Sequence, residues 1–80
     1  MPNQIQFLKR TRCHLCDEAL PVLEEACQIR GLEFETIDID QIPGFEMYSE
    51  EIPVLLVNRK KVLKCHFPEA KLAAILDRVR

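Results

Sequence analysis

Polar and apolar residues alternate over Gln4-Ile5-Gln6-Phe7-Leu8. This period of two is the signature of a strand. The strand ends at Leu8-Lys9, and Arg10 to Arg12 reads as a connecting loop. From His14 to Arg30 the period changes. Cys16, Ala19, Leu20, Leu23, Ala26 and Cys27 recur at three- and four-residue steps and make one apolar helix face. Asp17 and Glu18 fall in the first turn, where the helix dipole favours negative charge. Gly31 follows as the residue that stops the helix. Pro21 stands in the helix interior, where a proline removes a hydrogen bond and costs about 3 kcal/mol. The flanking periodicity is too regular for a break there, so the pattern predicts a kink.

Leu32 to Ile39 reads as a second strand. Its alternation slips between Glu35 and Ile37, which suits an edge position. Asp38-Ile39-Asp40-Gln41 ends it, and Pro43-Gly44 marks a turn. Phe45 to Tyr48 reads as one or two helical turns, with Phe45, Met47 and Tyr48 expected to cover the core. Ile52-Pro53-Val54-Leu55-Leu56-Val57 is a continuous apolar run of strand type, as in a central strand buried on both faces. Pro53 belongs at its start, because a proline cannot donate within a ladder. Asn58-Arg59 turns the chain into Lys60-Lys61-Val62-Leu63-Lys64, a strand whose lysines suit an exposed edge. Pro68 fits the first position of a last helix with Phe67 before it as N-cap, and Leu72, Ile75, Leu76 and Val79 form its stripe. The order is β-α-β-α-β-β-α. It predicts an α/β domain over residues 1–80: a four-stranded mixed sheet with helices on its faces, a parallel pair joined by a right-handed crossover and an antiparallel hairpin.

Composition narrows the function classes. An 80-residue chain that is 48% hydrophobic and 30% charged suits one small globular domain rather than a disordered segment. A net charge of −2 gives no electrostatic case for nucleic acid or an anionic membrane. No apolar run approaches the ~20 residues of a membrane span. Met1-Pro2-Asn3-Gln4 carries no basic or apolar leader pattern. Four cysteines could staple a small secreted domain, but the regular helix and strand patterns and the start of the chain fit a reducing cytoplasm better.

In that setting the stretch Arg10-Thr11-Arg12-Cys13-His14-Leu15-Cys16-Asp17-Glu18 carries the chemistry. A C-x-x-C pair near a βαβ pattern reads as a dithiol redox site. Cys13 falls at the helix N-terminus, whose unpaired N–H groups and dipole stabilise a thiolate. Cys16 is one turn on, within reach to close a disulfide. Arg10 and Arg12 favour the thiolate and Asp17 opposes it. His14 titrates near neutrality and either assists Cys13 or is a bystander.

Together these features resemble the thioredoxin superfamily, and the compact size is similar to glutaredoxins. Cys13-His14-Leu15-Cys16 matches the active-site motif. Pro21 matches the proline of the active-site helix, Asp40-Gln41-Ile42-Pro43-Gly44 is similar to the stretch after the second strand, and Ile52-Pro53 matches the cis-proline dipeptide. The resemblance implies a thiol-disulfide oxidoreductase with Cys13 as nucleophile and Cys16 as resolving thiol. It implies that the Ile52 backbone pairs with an extended substrate segment. Arg10 falls where glutaredoxins commonly carry a lysine for the glutathione carboxylate. Four positions depart from the glutathione pattern: Glu51 replaces a threonine, Leu63 and Lys64 replace a Gly-Gly pair, and Phe67 replaces an acid.

The resemblance thus implies a protein or glutathione disulfide as substrate and no resident cofactor, with glutathione as the alternative co-substrate. The electron donor is glutathione or a thioredoxin-reductase-type enzyme, and the expected form is a cytoplasmic monomer. Cys27 reads as core filler. Cys65 reads either as an inert half-buried residue or as a peripheral redox thiol. Two other classes stay open: a binding module of the same fold without turnover, and a metal or iron–sulfur site using the C-x-x-C. Zinc prefers four Cys or His ligands, and Cys65-His66 is poorly spaced to supply the other two, so no metal ligand is assigned.

Overall fold

The computed structural model describes residues 3–79. Met1 and Pro2, part of the start read above, lie outside the described residues. The elements are β1 (Ile5–Lys9), α1 (His14–Arg30), β2 (Glu35–Asp38), a single 3-10 turn (Glu46–Tyr48), β3 (Val54–Val57), β4 (Lys60–Lys64) and α2 (Glu69–Leu76).

The four strands form one sheet in the order β2-β1-β3-β4. β1 and β2 are parallel, with Phe7 opposite Thr36 and Lys9 opposite Asp38. β3 runs antiparallel to β1, with Leu8 opposite Val54, and β4 pairs antiparallel with β3. The lysine-bearing β4 is therefore an edge and the apolar β3 is central, as their compositions require. A register shift between Leu55 and Leu56 interrupts the β3–β4 ladder. Asn58 and Arg59 turn that hairpin with φ of 52° and 70°, as a tight two-residue connection demands.

The pleat divides the core in two. Ile5 and Phe7 of β1, Leu55 of β3 and Leu63 of β4 face both α-helices. There they meet Cys16, Ala19, Leu23 and Cys27 of α1, Leu72 and Leu76 of α2, and Phe67. Phe67 stands edge-on to Phe7, ring centroids 5.7 Å apart. Leu8, Val54 and Leu56 point to the other face with Ile37 and Ile39, covered by Phe45, Tyr48 and Ile52. The two α-helices thus share one face, and the 3-10 segment covers the other. Met47 does not join that cover. It is 74% exposed, because a single 3-10 turn presents only two of its three apolar neighbours inward.

Helix α1 runs unbroken through Pro21. Pro21 is exposed, and the carbonyl it leaves without an intrahelical donor belongs to the equally exposed Asp17. At the other end Gly31 takes φ 66° and the N–H groups of Gly31 and Leu32 return to Gln28 and Cys27. Only glycine adopts that left-handed geometry without a Cβ penalty. The cap consumes Leu32, so β2 begins at Glu35 rather than at Leu32. The start of α2 also moves by one residue. Pro68, with ψ of 132°, is the N-cap and Glu69 the first helical residue, because Phe67 is drawn into the core. Its last turn ends at Leu76, so Val79 packs on the core from beyond the helix.

Candidate active site

Three segments converge at the end of the sheet where β1 stops. The loop Arg10–Arg12 leaves β1 and delivers Cys13 to the start of α1. Pro53 lies one residue beyond the Leu8–Val54 pairing, on the neighbouring strand. Cys65 follows β4, and its N–H donates to the Pro53 carbonyl at 2.8 Å and to that of Glu51 at 3.1 Å. The Ile52–Pro53 peptide bond is cis. Ile52 is half-buried and packs against both halves of the core.

Cys13 and Cys16 are joined as a disulfide, their Cα atoms 5.1 Å apart. Cys13 is the N-cap of α1 in extended backbone geometry. Its Sγ accepts a hydrogen bond from the Cys16 N–H at 3.1 Å, and its carbonyl accepts from the Asp17 N–H at 3.0 Å. A sulfur thus takes the place usually held by a serine or aspartate oxygen at a helix start. The two sulfurs are not equivalent. Cys13 is half-buried at the helix mouth, whereas Cys16 is 1% exposed inside the core. From solvent, Cys13 is the more accessible of the two sulfurs.

The loop before Cys13 is held by two acids from the end of β2 and the turn after it, a role that their place in the sequence does not announce. Arg10 Nε donates to both carboxylate oxygens of Asp40, at 3.1 and 2.9 Å, and its Nη2 donates to Ser49 Oγ at 3.1 Å. Thr11 Oγ1 donates to Asp38 Oδ2 at 3.0 Å. Asp38 is the last residue of β2 and Asp40 lies in the turn just after it, and the parallel pairing brings that strand end beside the end of β1. The only signal in the sequence was their clustering at a strand end. Arg12 is exposed with φ 65°. His14 is turned outward, its side chain 85% exposed and its Nε2 2.8 Å from Glu18, one turn along α1.

The other two cysteines are far apart in character. Cys27 is buried, and that burial pushes its thiol above the ordinary range, opposed by the nearby Arg30 charge. Cys65 is half-buried with φ 64°, and its Sγ lies 3.6 Å from the Glu51 carbonyl. Glu51 in turn holds Lys61 at 2.8 Å and Lys64 at 3.4 Å. The hydrogen bond from Lys61 is the main cause that holds the Glu51 carboxyl below its usual range. Residues 65–68 face Leu15, Glu18, Ala19 and Val22 across an open groove, so the segment before α2 and the C-x-x-C turn form two walls of one surface. Among the described residues no three His, Cys, Asp or Glu side chains gather as a metal's ligands would. Among the same residues no helix is long and apolar enough to cross a membrane.

A family model for the glutaredoxin-like domain (DUF836) matches residues 4–77. The chain belongs to this family. It is 29% identical over 82 residues to the glutaredoxin-like protein YDR286C homolog of Dictyostelium discoideum, covering 94% of this chain and 76% of that protein. Among solved structures it is similar to protein XcR50 of X. campestris, with a TM-score of 0.75 and 30% identity over 95% of this chain and 99% of that one. It is also similar to a glutaredoxin of Archaeoglobus fulgidus, with a TM-score of 0.63 and 25% identity over 91% and 85% of the two chains. The glutaredoxin-like fold and the closed Cys13–Cys16 pair support a function of redox type.

Proposed function

We propose that this glutaredoxin-like chain is a thiol-disulfide oxidoreductase that cycles between the Cys13–Cys16 dithiol and its disulfide. The observation that carries the reading is the unequal burial of two joined sulfurs at a helix start. In the reduced form the Cys13 thiolate attacks one sulfur of a substrate disulfide. A mixed disulfide forms, and the departing substrate thiolate takes a proton from water. The Cys16 thiol then loses its proton to water, its thiolate attacks Cys13 Sγ and closes the internal disulfide, and the second substrate sulfur leaves as a thiolate that takes up a proton from water. Two electrons pass from the protein to the substrate. Burial of Cys16 shields it from outside oxidants and reserves it for the second step.

Arg10, Arg12 and His14 border the attack site, and Ile52 with Pro53 offers backbone to an extended substrate segment. The substrate class is a protein disulfide or a glutathione mixed disulfide. Glutathione or a thioredoxin-reductase-type enzyme returns the electrons, in a reducing compartment such as the cytoplasm. Three of the observations bear on the choice of donor. Phe67, which the resemblance sets against the acid for the glutathione amine, lies in the core and offers no group to it. The segment around Leu63 and Lys64 is a strand end rather than a glycine turn. Arg10 is engaged by Asp40 and Ser49. All three favour a protein thiol system over a glutathione pocket.

The test offers prereduced protein a peptide disulfide and follows thiol release. Loss of turnover in Cys13→Ser with retention in Cys65→Ser supports the assignment. Reduction that depends on Cys65 instead refutes it. A wild-type protein that binds the peptide without reducing it is a binding module.

A further inference from the structure

The charge of this chain is unevenly placed. It carries 13 Asp and Glu against 11 Lys and Arg, yet residues 52–68 contain no acid and four fixed cations, Arg59, Lys60, Lys61 and Lys64. Folding joins two of them to a third lysine. Lys61 and Lys64 on the edge strand β4 and Lys71 on α2 line one open groove with His66 and Pro68. Glu51 neutralises one of these charges through its contacts with Lys61 and Lys64. His66 and Pro68 also line the groove whose other wall begins at Leu15, between the two site cysteines. The basic groove therefore adjoins, across His66 and Pro68, the groove that reaches Leu15 between the site cysteines. At the near end stands Glu18; at the far end stand the lysines.

We propose that this groove docks an acidic segment of the protein whose disulfide is exchanged at Cys13. The inference rests on the redox reading of the site and adds the chemistry of the partner. Its occupant is an extended peptide with carboxylates several residues away from its cysteine. The lysines meet the carboxylates, while Glu18 at the near end repels an acid placed beside the cysteine. The extent of the groove and the net charge favour a peptide over a nucleic acid. The three lysines of the groove span a short surface, and the chain carries a net charge of −2, so a long polyanion would meet repulsion beyond it. Exposed charges of this kind act mainly on the rate of encounter and are screened by salt.

Two measurements separate this inference from the redox reading. The first compares reduction of three peptide disulfides that differ only in distal Glu, Gln or Lys residues. The expected result is about tenfold faster reduction of the Glu peptide than of the Gln peptide at low ionic strength. That ratio falls towards one at high salt and in Lys64→Gln/Lys71→Gln. A ratio near one for the wild-type protein at low salt overturns the proposal while leaving the redox reading intact. The second reads docking without chemistry: backbone amide NMR signals of the oxidised protein during titration with the Glu peptide carrying serines for its cysteines. Shifts concentrated at residues 61–71 support the groove even if no peptide is reduced, which would sink the redox reading alone. Equal shifts with the Lys peptide, or none, overturn the proposal. Stronger shifts at the same residues with a DNA duplex overturn the choice of partner.

Discussion

The Arg10 guanidinium closes on the Asp40 carboxylate, its Nε within 3.1 Å of one oxygen and 2.9 Å of the other. This pair ties the loop that leads into Cys13 to the end of the neighbouring strand, and the Ser49 contact extends the brace to the 3-10 segment. The side chains are 36% and 52% exposed, so solvent screens the attraction. A double-mutant cycle of Arg10→Gln with Asp40→Asn should give a coupling of about 0.2–1 kcal/mol, as for other exposed pairs. Chemical denaturation measures it. A coupling of zero would show that the loop is held without the brace.

The asymmetric burial of the two site cysteines gives each substitution its own outcome. Cys13→Ser removes the sulfur that an incoming disulfide reaches, and turnover should vanish. Cys16→Ser leaves the first step and removes the second, so a covalent complex with the substrate should accumulate. Mass spectrometry of acid-quenched reactions distinguishes the two. A complex that accumulates in Cys13→Ser rather than Cys16→Ser would reverse the roles.

Cys27 and Cys65 should differ in reactivity for a stated reason. Burial disfavours the Cys27 thiolate, and thiolate is the form that alkylates. In the oxidised protein an excess of iodoacetamide should label Cys65 well before Cys27, and Cys27 only on unfolding. Timed peptide mapping reads the order. Equal labelling of both under native conditions would contradict the packing around α1.

Glu51 anchors β4 through Lys61 and Lys64, and those contacts lower its carboxyl pKa. A depressed carboxylate contributes stability above its unfolded-state pKa, and the contribution is lost as pH falls through the folded value. Glu51→Gln should therefore destabilise at neutral pH. The gap from the wild-type protein should close below the ordinary glutamate range. Denaturation midpoints across the acid range test this. A gap that stays constant with pH would assign the effect to shape rather than charge.

Phe67 is only 7% exposed and packs edge-on against Phe7. Phe67→Ala should lower stability by about 3–5 kcal/mol, measured by urea denaturation. A loss under about 1 kcal/mol would mean the ring is cover rather than core.

Much of this was legible in the residues themselves. Alternation marked β1, the three–four spacing of Cys16 to Cys27 marked α1, and the apolar run after Pro53 marked the central strand. Each of those patterns is a local property of the chain, although β1 and β3 are both central and buried on both faces. Where the reading slipped, a competing long-range or capping interaction decided. Leu32 was needed for the helix cap, so β2 started later. Phe67 was needed by Phe7, so the start of α2 moved to Pro68. Met47 had no inward place on a single 3-10 turn. The cysteine pair was visible from its spacing, but its surroundings were not. Asp38 and Asp40 lie 27 and 30 residues from Thr11 and Arg10, and only the parallel pairing of β1 with β2 brings them together. The lysine groove was equally hidden, because β4 and α2 each supply part of it.

Equilibration of the protein in thiol–disulfide buffers of graded potential, with rapid alkylation and mass analysis, tests the central claim most directly. The account predicts that Cys13 and Cys16 gain and lose two labels together, at a single midpoint in the range of about −270 to −120 mV occupied by thioredoxin-fold oxidoreductases. A midpoint below about −300 mV, where structural disulfides lie, would contradict it. So would labels appearing on Cys13 and Cys16 independently.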